Sequence, residues 1–217
     1  MLTEWFRAML IFVRKGYHVI TKDVNNERYS KKSIFVYHIF FLFISLSCVI
    51  FLPRGITEDF IDYIKDIFAI FIGFFVTALT FIYDKLNVTK IPSQKSIDRM
   101  PVDKRPSGED ILRMKQEHNY VIRFFYSIGF NILFATLTLL LLIPIIFWKD
   151  FFSVDVFGYR FVKQFSELNK DSILLGGHIA FLFIYRLLVI FLIVNVFFYT
   201  IYMITSLLQV LIIKKKI

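Results

Sequence analysis

Polar and small side chains recur along one apolar stretch of the chain at the spacing of a single helix face. They follow one another at steps of three, four or seven residues, and they are Asp59, Asp62, Asp66, Gly73, Thr77, Thr80 and Asp84. Lipid tails offer no hydrogen bonds, so this face either lines a water-filled pathway or packs closely against another helix. If it lines a pore, the acids at its mouth would concentrate cations there.

A second polar stripe lies near the C-terminus. Its members are spaced by four, three, four and three residues, and they are Asn195, Tyr199, Tyr202, Ser206 and Gln209. This spacing is typical of a helix that packs against a partner helix in a left-handed bundle, and in an oligomer the same seam could surround a central axis. We predict that both stripes line a pore, with helix packing as the alternative for each.

Cationic side chains cluster in the one sizeable polar stretch, between residues 84 and 120. Those that we predict to bind an anionic ligand are Lys95, Arg99, Lys104, Arg105, Arg113 and Lys115. Phosphate recognition needs several cationic donors, and this segment supplies them. The alternative is that these charges only mark a cytoplasmic loop, because such loops are generally basic.

Sequence motifs for catalysis are absent. The chain has no HExxH, no Walker-type glycine-rich loop, no GxSxG and no cysteine pair, and its four histidines lie in four different regions. We therefore predict that the protein is not an enzyme and uses no metal or other cofactor.

Arg186 is a functional candidate because a lone arginine within an apolar helix is costly. Ser127, Asn131 and Thr138 are predicted to form interhelical hydrogen bonds.

The elements that must position these residues are membrane helices. Hydrophobic residues make up 57% of the 217 residues and charged residues 20%, whereas soluble domains have roughly 45 to 50% and 25%. Four stretches carry at most one charge and can cross a hydrocarbon core of about 30 Å, and they are residues 34–53, 67–83, 124–148 and 172–213. We predict an all-α polytopic membrane protein with four transmembrane helices, of which the third and fourth extend beyond the membrane.

The N-terminal region is predicted to form an amphipathic helix in the plane of the membrane interface, with a helix that docks on the bundle as the alternative. The chain then divides into this helix with its linker, the first two transmembrane helices, a basic loop, and the last two transmembrane helices: residues 1–33, 34–83, 84–120 and 121–217. Of the 26 lysines and arginines, 19 fall on the side that carries both termini and the long loop, and 6 on the other. The positive-inside rule places that basic side in the cytoplasm.

The four-span layout combines phenylalanine-rich spans with a short second helix, FIGFFVTALTFIYD, and a basic stretch, RMPVDKRPSGEDILRMKQEHNY. In these features of its architecture the chain resembles the small four-span inner-membrane effectors of bacterial antiphage defence systems. It implies a bacterial inner-membrane protein that acts beside a sensor, often a synthase of a nucleotide second messenger. It further implies that the protein damages or depolarises the membrane once activated.

The predicted function is an oligomeric membrane channel or membrane-permeabilising effector. Its expected partners are the lipid bilayer, further copies of the chain, and a cytoplasmic sensor protein or a nucleotide-like anionic ligand that gates it. No direct nucleic-acid readout is expected, because the net charge of +9 serves mainly to orient the chain. The alternative is a non-conducting scaffold or a subunit of a larger membrane complex. A small transporter is disfavoured, since neither an internal repeat nor a pair of broken helices is visible.

Overall fold

The computed structural model of the chain describes residues 2–22, 27–52, 55–88, 92–101, 104–156 and 170–215. Within those ranges, side chains are described except at positions 2, 5, 8, 81, 83–88, 94, 95, 170–172 and 206–215. The elements are helices, in the order α1 (Leu2–Ile20), α2 (Lys31–Phe51), α3 (Glu58–Val88), α4 (Gln94–Asp98), α5 (Gly108–Phe147), α6 (Lys149–Phe152) and α7 (Lys170–Lys215). The prediction of an all-α protein is confirmed.

Four of these helices, α2, α3, α5 and α7, are long and apolar enough to cross a membrane. This confirms the four predicted transmembrane helices. With 40 and 46 residues, α5 and α7 are about 60 and 69 Å long, roughly twice the hydrocarbon core. The predicted extension of the third and fourth helices is therefore confirmed as well.

Large apolar side chains are exposed along these helices, as expected for surfaces that contact lipid. On α2, for example, Phe35 and Phe43 are each 66% exposed. The buried residues of α2 are Phe41, Ser45 and Val49, which recur every four residues and so form one narrow face. The exposed apolar side chains on the other faces of α2 are suited to lipid tails.

The helices form two compact units, each with its own core. Unit 1 comprises Met1–Lys31, Ile72–Leu133 and Tyr199–Ile217, and unit 2 comprises Lys32–Phe71 and Phe134–Phe198.

In unit 2, aromatic rings join α2 and α3 to α7. The ring centroids of Phe41 and Phe198 are 4.7 Å apart, and those of Phe68 and Phe71 lie 6.0 and 5.8 Å from that of Phe197. The rings are tilted or edge-on to one another, which is the geometry that aromatic pairs prefer. These contacts therefore contribute both buried area and ring electrostatics to the core.

In unit 1, α1 packs on α5 through a close approach at two glycines. The ring of Phe12 occupies the space beside Gly129 in which a side chain would stand, and a Cβ on Gly16 would lie 2.8 Å from the Cβ of Phe130. Phe12 also contacts Tyr126, with centroids 5.4 Å apart. The N-terminal helix is thus docked on α5, while its predicted position in the membrane interface stays a prediction.

The start of α5 coincides with the capping box that Ser107 and Asp110 form in the sequence. The Oγ of Ser107 accepts a hydrogen bond from the backbone N–H of Asp110 at 3.1 Å, and the Asp110 carboxylate accepts one from the backbone N–H of Ser107 at 3.0 Å. Each side chain thus satisfies a backbone donor that the first helical turn leaves unpaired. The helix then continues from the basic segment into the apolar stretch without a break.

Two local expectations from the sequence differ from the structure. The prolines of the basic segment predict an irregular first half, but Gln94–Asp98 forms α4, capped by Ser93. The pair Gly176-Gly177 predicts a helix start or bend; the helix does not start there, because α7 begins earlier, at Lys170, and the bend stays a prediction. A glycine inside a helix costs only about 1 kcal/mol relative to alanine, which the apolar residues that follow can offset.

Candidate functional sites: two polar stripes, a basic segment and a buried row

The three acids of the α3 stripe lie on the part of α3 that belongs to unit 2. The side chains of Asp59, Asp62 and Asp66 are all exposed. Asp62 forms an exposed ion pair with Lys65, one turn further along the helix, at 2.8 Å. These carboxylates thus face away from the core of unit 2 and present negative charge at its surface.

The small members of the α3 stripe lie in unit 1, and they are exposed too. Gly73 has no neighbouring atom within 4 Å of the position of a Cβ. The hydroxyls of Thr77 and Thr80 donate to carbonyls of their own helix, those of Gly73 and Val76, at 3.0 and 3.2 Å. In the described part of the chain no other helix covers these residues. The side chain of Asp84 lies outside the described residues.

The α7 stripe has the opposite environment, because the members whose side chains are described turn toward the cores. Asn195, in unit 2, is 3% exposed and donates to the carbonyl of Phe191 at 2.6 Å. In unit 1, Tyr199 is buried against Phe130, with ring centroids 5.5 Å apart. The ring of Tyr202, also in unit 1, lies under the guanidinium of Arg123. The side chains of Ser206 and Gln209 lie outside the described residues.

The predicted ligand-binding cations lie on and around α4 and on the first turns of α5. Those with described side chains are all exposed, and they are Arg99, Lys104, Arg105, Arg113 and Lys115. The side chain of Lys95 lies outside the described residues. Arg105 donates from Nε to the carbonyl of Met100 at 3.0 Å and from Nη2 to that of Asp98 at 2.9 Å. Arg105 therefore shapes the segment by holding its backbone.

A third polar set, which we name the α5 polar row, consists of Arg123, Ser127 and Asn131 in unit 1. They lie on one face of α5 because they are four residues apart, and they are only 8, 3 and 1% exposed. The guanidinium of Arg123 lies 5.2 Å from the centroid of the Tyr202 ring on α7. Asn131 Nδ2 donates to Thr200 Oγ1 on α7 at 2.9 Å, which confirms the predicted interhelical bond at this residue.

The α5 polar row also contains atoms without partners. Arg123 Nε, Ser127 Oγ and Asn131 Oδ1 are buried, and the described part of the chain offers none of them a hydrogen bond. The predicted interhelical bond of Ser127 is therefore not formed here, and Thr138, in unit 2, bonds the carbonyl of Phe134 in its own helix. The sequence contained one signal for this row, which is the four-residue spacing that continues from Ser127 back to Arg123.

Arg186 is buried in unit 2, where its guanidinium binds the end of α6 and the residues that follow it to α7. Its Nη2 donates to the carbonyls of Phe152 and Val154 at 2.6 and 2.7 Å. Asp155 adds a favourable charge interaction. Gly55, in the loop between α2 and α3, has a φ of 87° and lies directly against the guanidinium. Because the acceptors are backbone carbonyls, which every residue has, residue types could not have revealed this contact.

Among the residues that the structure describes, no three histidine, cysteine, aspartate or glutamate side chains come together in a way that could hold a metal ion. No protein-family model matches the chain, and neither a curated protein nor a solved structure was found to match it.

Proposed function

We propose that the chain is the subunit of an oligomeric membrane channel or membrane-permeabilising effector, with the polar face of α3 lining the path. The observation that carries this proposal is that every member of this face with a described side chain is exposed. A row of carboxylates, a glycine and threonines is poorly suited to lipid. Further copies of the chain, arranged around a water-filled axis, would give this face water and protein as neighbours instead.

The α7 stripe plays a different part in this proposal. Since Asn195 and Tyr199 are buried within their units, they pack α7 against other helices of the same chain. The α3 face is then the wall of the path. Its acids, Asp59, Asp62 and Asp66, would favour cations at one mouth by electrostatic attraction.

The basic segment is the proposed receptor for the activating signal, at the cytoplasmic face of a bacterial inner membrane. Its exposed cations would hold a nucleotide-like anion or an acidic surface of a sensor protein. The hydrogen bonds from the Arg105 side chain to two backbone carbonyls support this, because they give the segment a defined shape. Activation in antiviral defence follows from the architectural resemblance alone.

A non-conducting scaffold is the second candidate. It is favoured by the way in which Thr77 and Thr80 bond to carbonyls of their own helix, because these hydroxyls then need no water. In that case a helix of another membrane protein would pack at close distance against α3 at Gly73, where no side chain stands in the way. The same exposed face would be a binding surface rather than the wall of a path.

Ion flux from liposomes that contain the purified protein tests the channel proposal. Thr77→Leu puts a large apolar side chain into the path and should lower the flux at least tenfold relative to the wild type. Val76→Leu is the matched control, since Val76 is the neighbouring residue, is 51% exposed and is already apolar. Measurable flux that is equal for the wild type and Thr77→Leu would place the path elsewhere.

A crosslinking experiment separates the two candidates without the need for a trigger. In a Cys48→Ser background, Thr77→Cys should form a disulfide between copies in native membranes, and Val76→Cys should form less. If Thr77→Cys crosslinks instead to a different protein and not between copies of the chain, the scaffold is supported and the channel is rejected.

A further inference from the structure

The α5 polar row is unusual because three buried polar atoms in one line have no hydrogen-bond partner among the residues that the structure describes. Arg123 Nε can only donate, Ser127 Oγ can donate and accept, and Asn131 Oδ1 can accept. Native proteins rarely bury such groups without hydrogen bonds, because each loses its interactions with water and gains nothing in return. A contact between helices that carries three such groups is destabilised relative to one in which they are hydrated.

The geometry of the row is that of a narrow path along one helix. Residues four apart on an α-helix are separated by a rise of about 6 Å, so that the row extends for roughly 12 Å. Thr200 and Tyr202 of α7 face it, through the hydrogen bond to Asn131 and the ring contact with Arg123. Arg123 lies next to the apolar run that begins at Phe124, and Asn131 lies two turns within that run.

The charge of the row is positive. Among the side chains that the structure describes, none forms an ion pair with Arg123, and its shown contact is with the face of the Tyr202 ring. A buried guanidinium without a charged partner attracts an anion strongly. The Nε–H of Arg123 and the hydroxyl of Ser127, one turn apart on the same face, are two donors that one small anion and its water molecules could use together.

We propose that the contact between α5 and α7 in unit 1 opens transiently from the end that carries Arg123, and that it then admits water and small inorganic anions such as chloride along the α5 polar row. The arrangement in the structure is the closed form. Opening gives each of the three unpaired atoms a hydrogen-bond partner, so the open form is accessible as a minor population. We call the opened space between α5 and α7 the crevice. The crevice does not depend on the α3 face, and a scaffold that carries no current could also have it.

Cysteine accessibility in the full-length protein tests this proposal. In a Cys48→Ser background, Ser127→Cys introduces a thiol of nearly the same size. The protein is reconstituted in liposomes with a membrane-impermeant methanethiosulfonate on both sides. Ile201→Cys is the matched control, because Ile201 follows Thr200, the partner of Asn131, and is 59% exposed on a surface suited to lipid. An anionic and a cationic reagent are compared. Leu112→Cys, which is exposed in the first turns of α5, gives the rate at which each reagent reacts with an accessible thiol.

We expect Ser127→Cys to react at least about tenfold faster than Ile201→Cys. When the rates at Ser127→Cys are divided by those at Leu112→Cys, the anionic reagent should react about tenfold faster than a cationic one of similar size. The reason is that the positive charge of Arg123 concentrates anions locally. Arg123→Gln should remove that preference. Reaction at Ser127→Cys no faster than at Ile201→Cys would overturn the crevice. Equal rates for both reagents, unchanged by Arg123→Gln, would overturn its assignment to anions. Because no current is measured, a silent flux assay leaves this test intact.

Discussion

Arg186 and Gly55 fit together so closely that a Cβ on Gly55 would lie 2.6 Å from the guanidinium carbon of Arg186. The φ of 87° at Gly55 is a conformation that glycine adopts readily and other residues rarely. The loop between α2 and α3 therefore combines a special backbone with the absence of a side chain. Both features let the guanidinium reach the carbonyls of Phe152 and Val154.

Replacement of Gly55 by alanine should destabilise unit 2. The left-handed backbone alone costs about 1 to 2 kcal/mol for a residue with a Cβ, and the added methyl group would displace the guanidinium from its carbonyls. We expect a thermal unfolding midpoint in detergent that is several degrees lower, measured by circular dichroism. Gly177→Ala is the control and should not lower the midpoint, because nothing lies within 4 Å of a Cβ there and alanine is favoured over glycine in a helix. An unchanged midpoint for Gly55→Ala would show that the loop can rearrange freely.

Replacement of Arg186 by leucine should destabilise unit 2 by about 2 to 4 kcal/mol, because a buried and a half-buried carbonyl lose their donor. Arg186→Lys should cost less, since an ammonium can still donate to one of them. Unfolding in mixed micelles of increasing denaturing detergent measures both. Arg113→Leu, at an exposed arginine, should change the stability little. Equal stabilities for the leucine variant and the wild type would mean that the hydrogen bonds at 2.6 and 2.7 Å contribute nothing to the free energy of unfolding.

Much of the architecture could be predicted from the sequence because lipid constrains helices strongly. Long charge-free runs indicated the four spans, and Ser107 with Asp110 indicated the start of α5. What the runs do not show is where a helix ends, because polar residues such as Lys170 continue it. Periodicity also groups residues on one face without showing what that face contacts. The stripes of α3 and α7 have similar spacing, yet Thr77 is exposed and Asn195 is buried.

The hydrogen bond between Asn131 and Thr200 should contribute measurably to the stability of unit 1. A double-mutant cycle with Asn131→Ala and Thr200→Val should give a coupling energy of about 0.6 kcal/mol, and at most about 1.7, as is typical of interhelical bonds in membranes. The same unfolding assay in mixed micelles supplies the four stabilities. Additive effects of the two substitutions would indicate that the bond contributes nothing to the stability of the protein in micelles.

Replacement of Arg105 by alanine should loosen the basic segment without affecting the membrane helices. The variant loses two hydrogen bonds from the side chain to backbone carbonyls, each worth about 1 kcal/mol. Local opening of the segment therefore becomes more frequent. Cleavage of the segment by proteinase K should therefore be about tenfold faster than in the wild type, while the thermal midpoint stays the same. Lys104→Ala is the neighbouring control. If both variants are cleaved at the wild-type rate, Arg105 does not hold the backbone in solution.

The rings that join α2 and α3 to α7 in unit 2 have a thermodynamic consequence. In lipid, helices gain nothing from the release of ordered water, so the contacts of Phe41 and Phe68 must draw on dispersion and ring electrostatics. Water-driven association weakens on cooling because its heat capacity change is large, whereas contacts of this kind have no such term. Helix association in unit 2 should therefore keep its strength at low temperature, and its enthalpy should vary little with temperature.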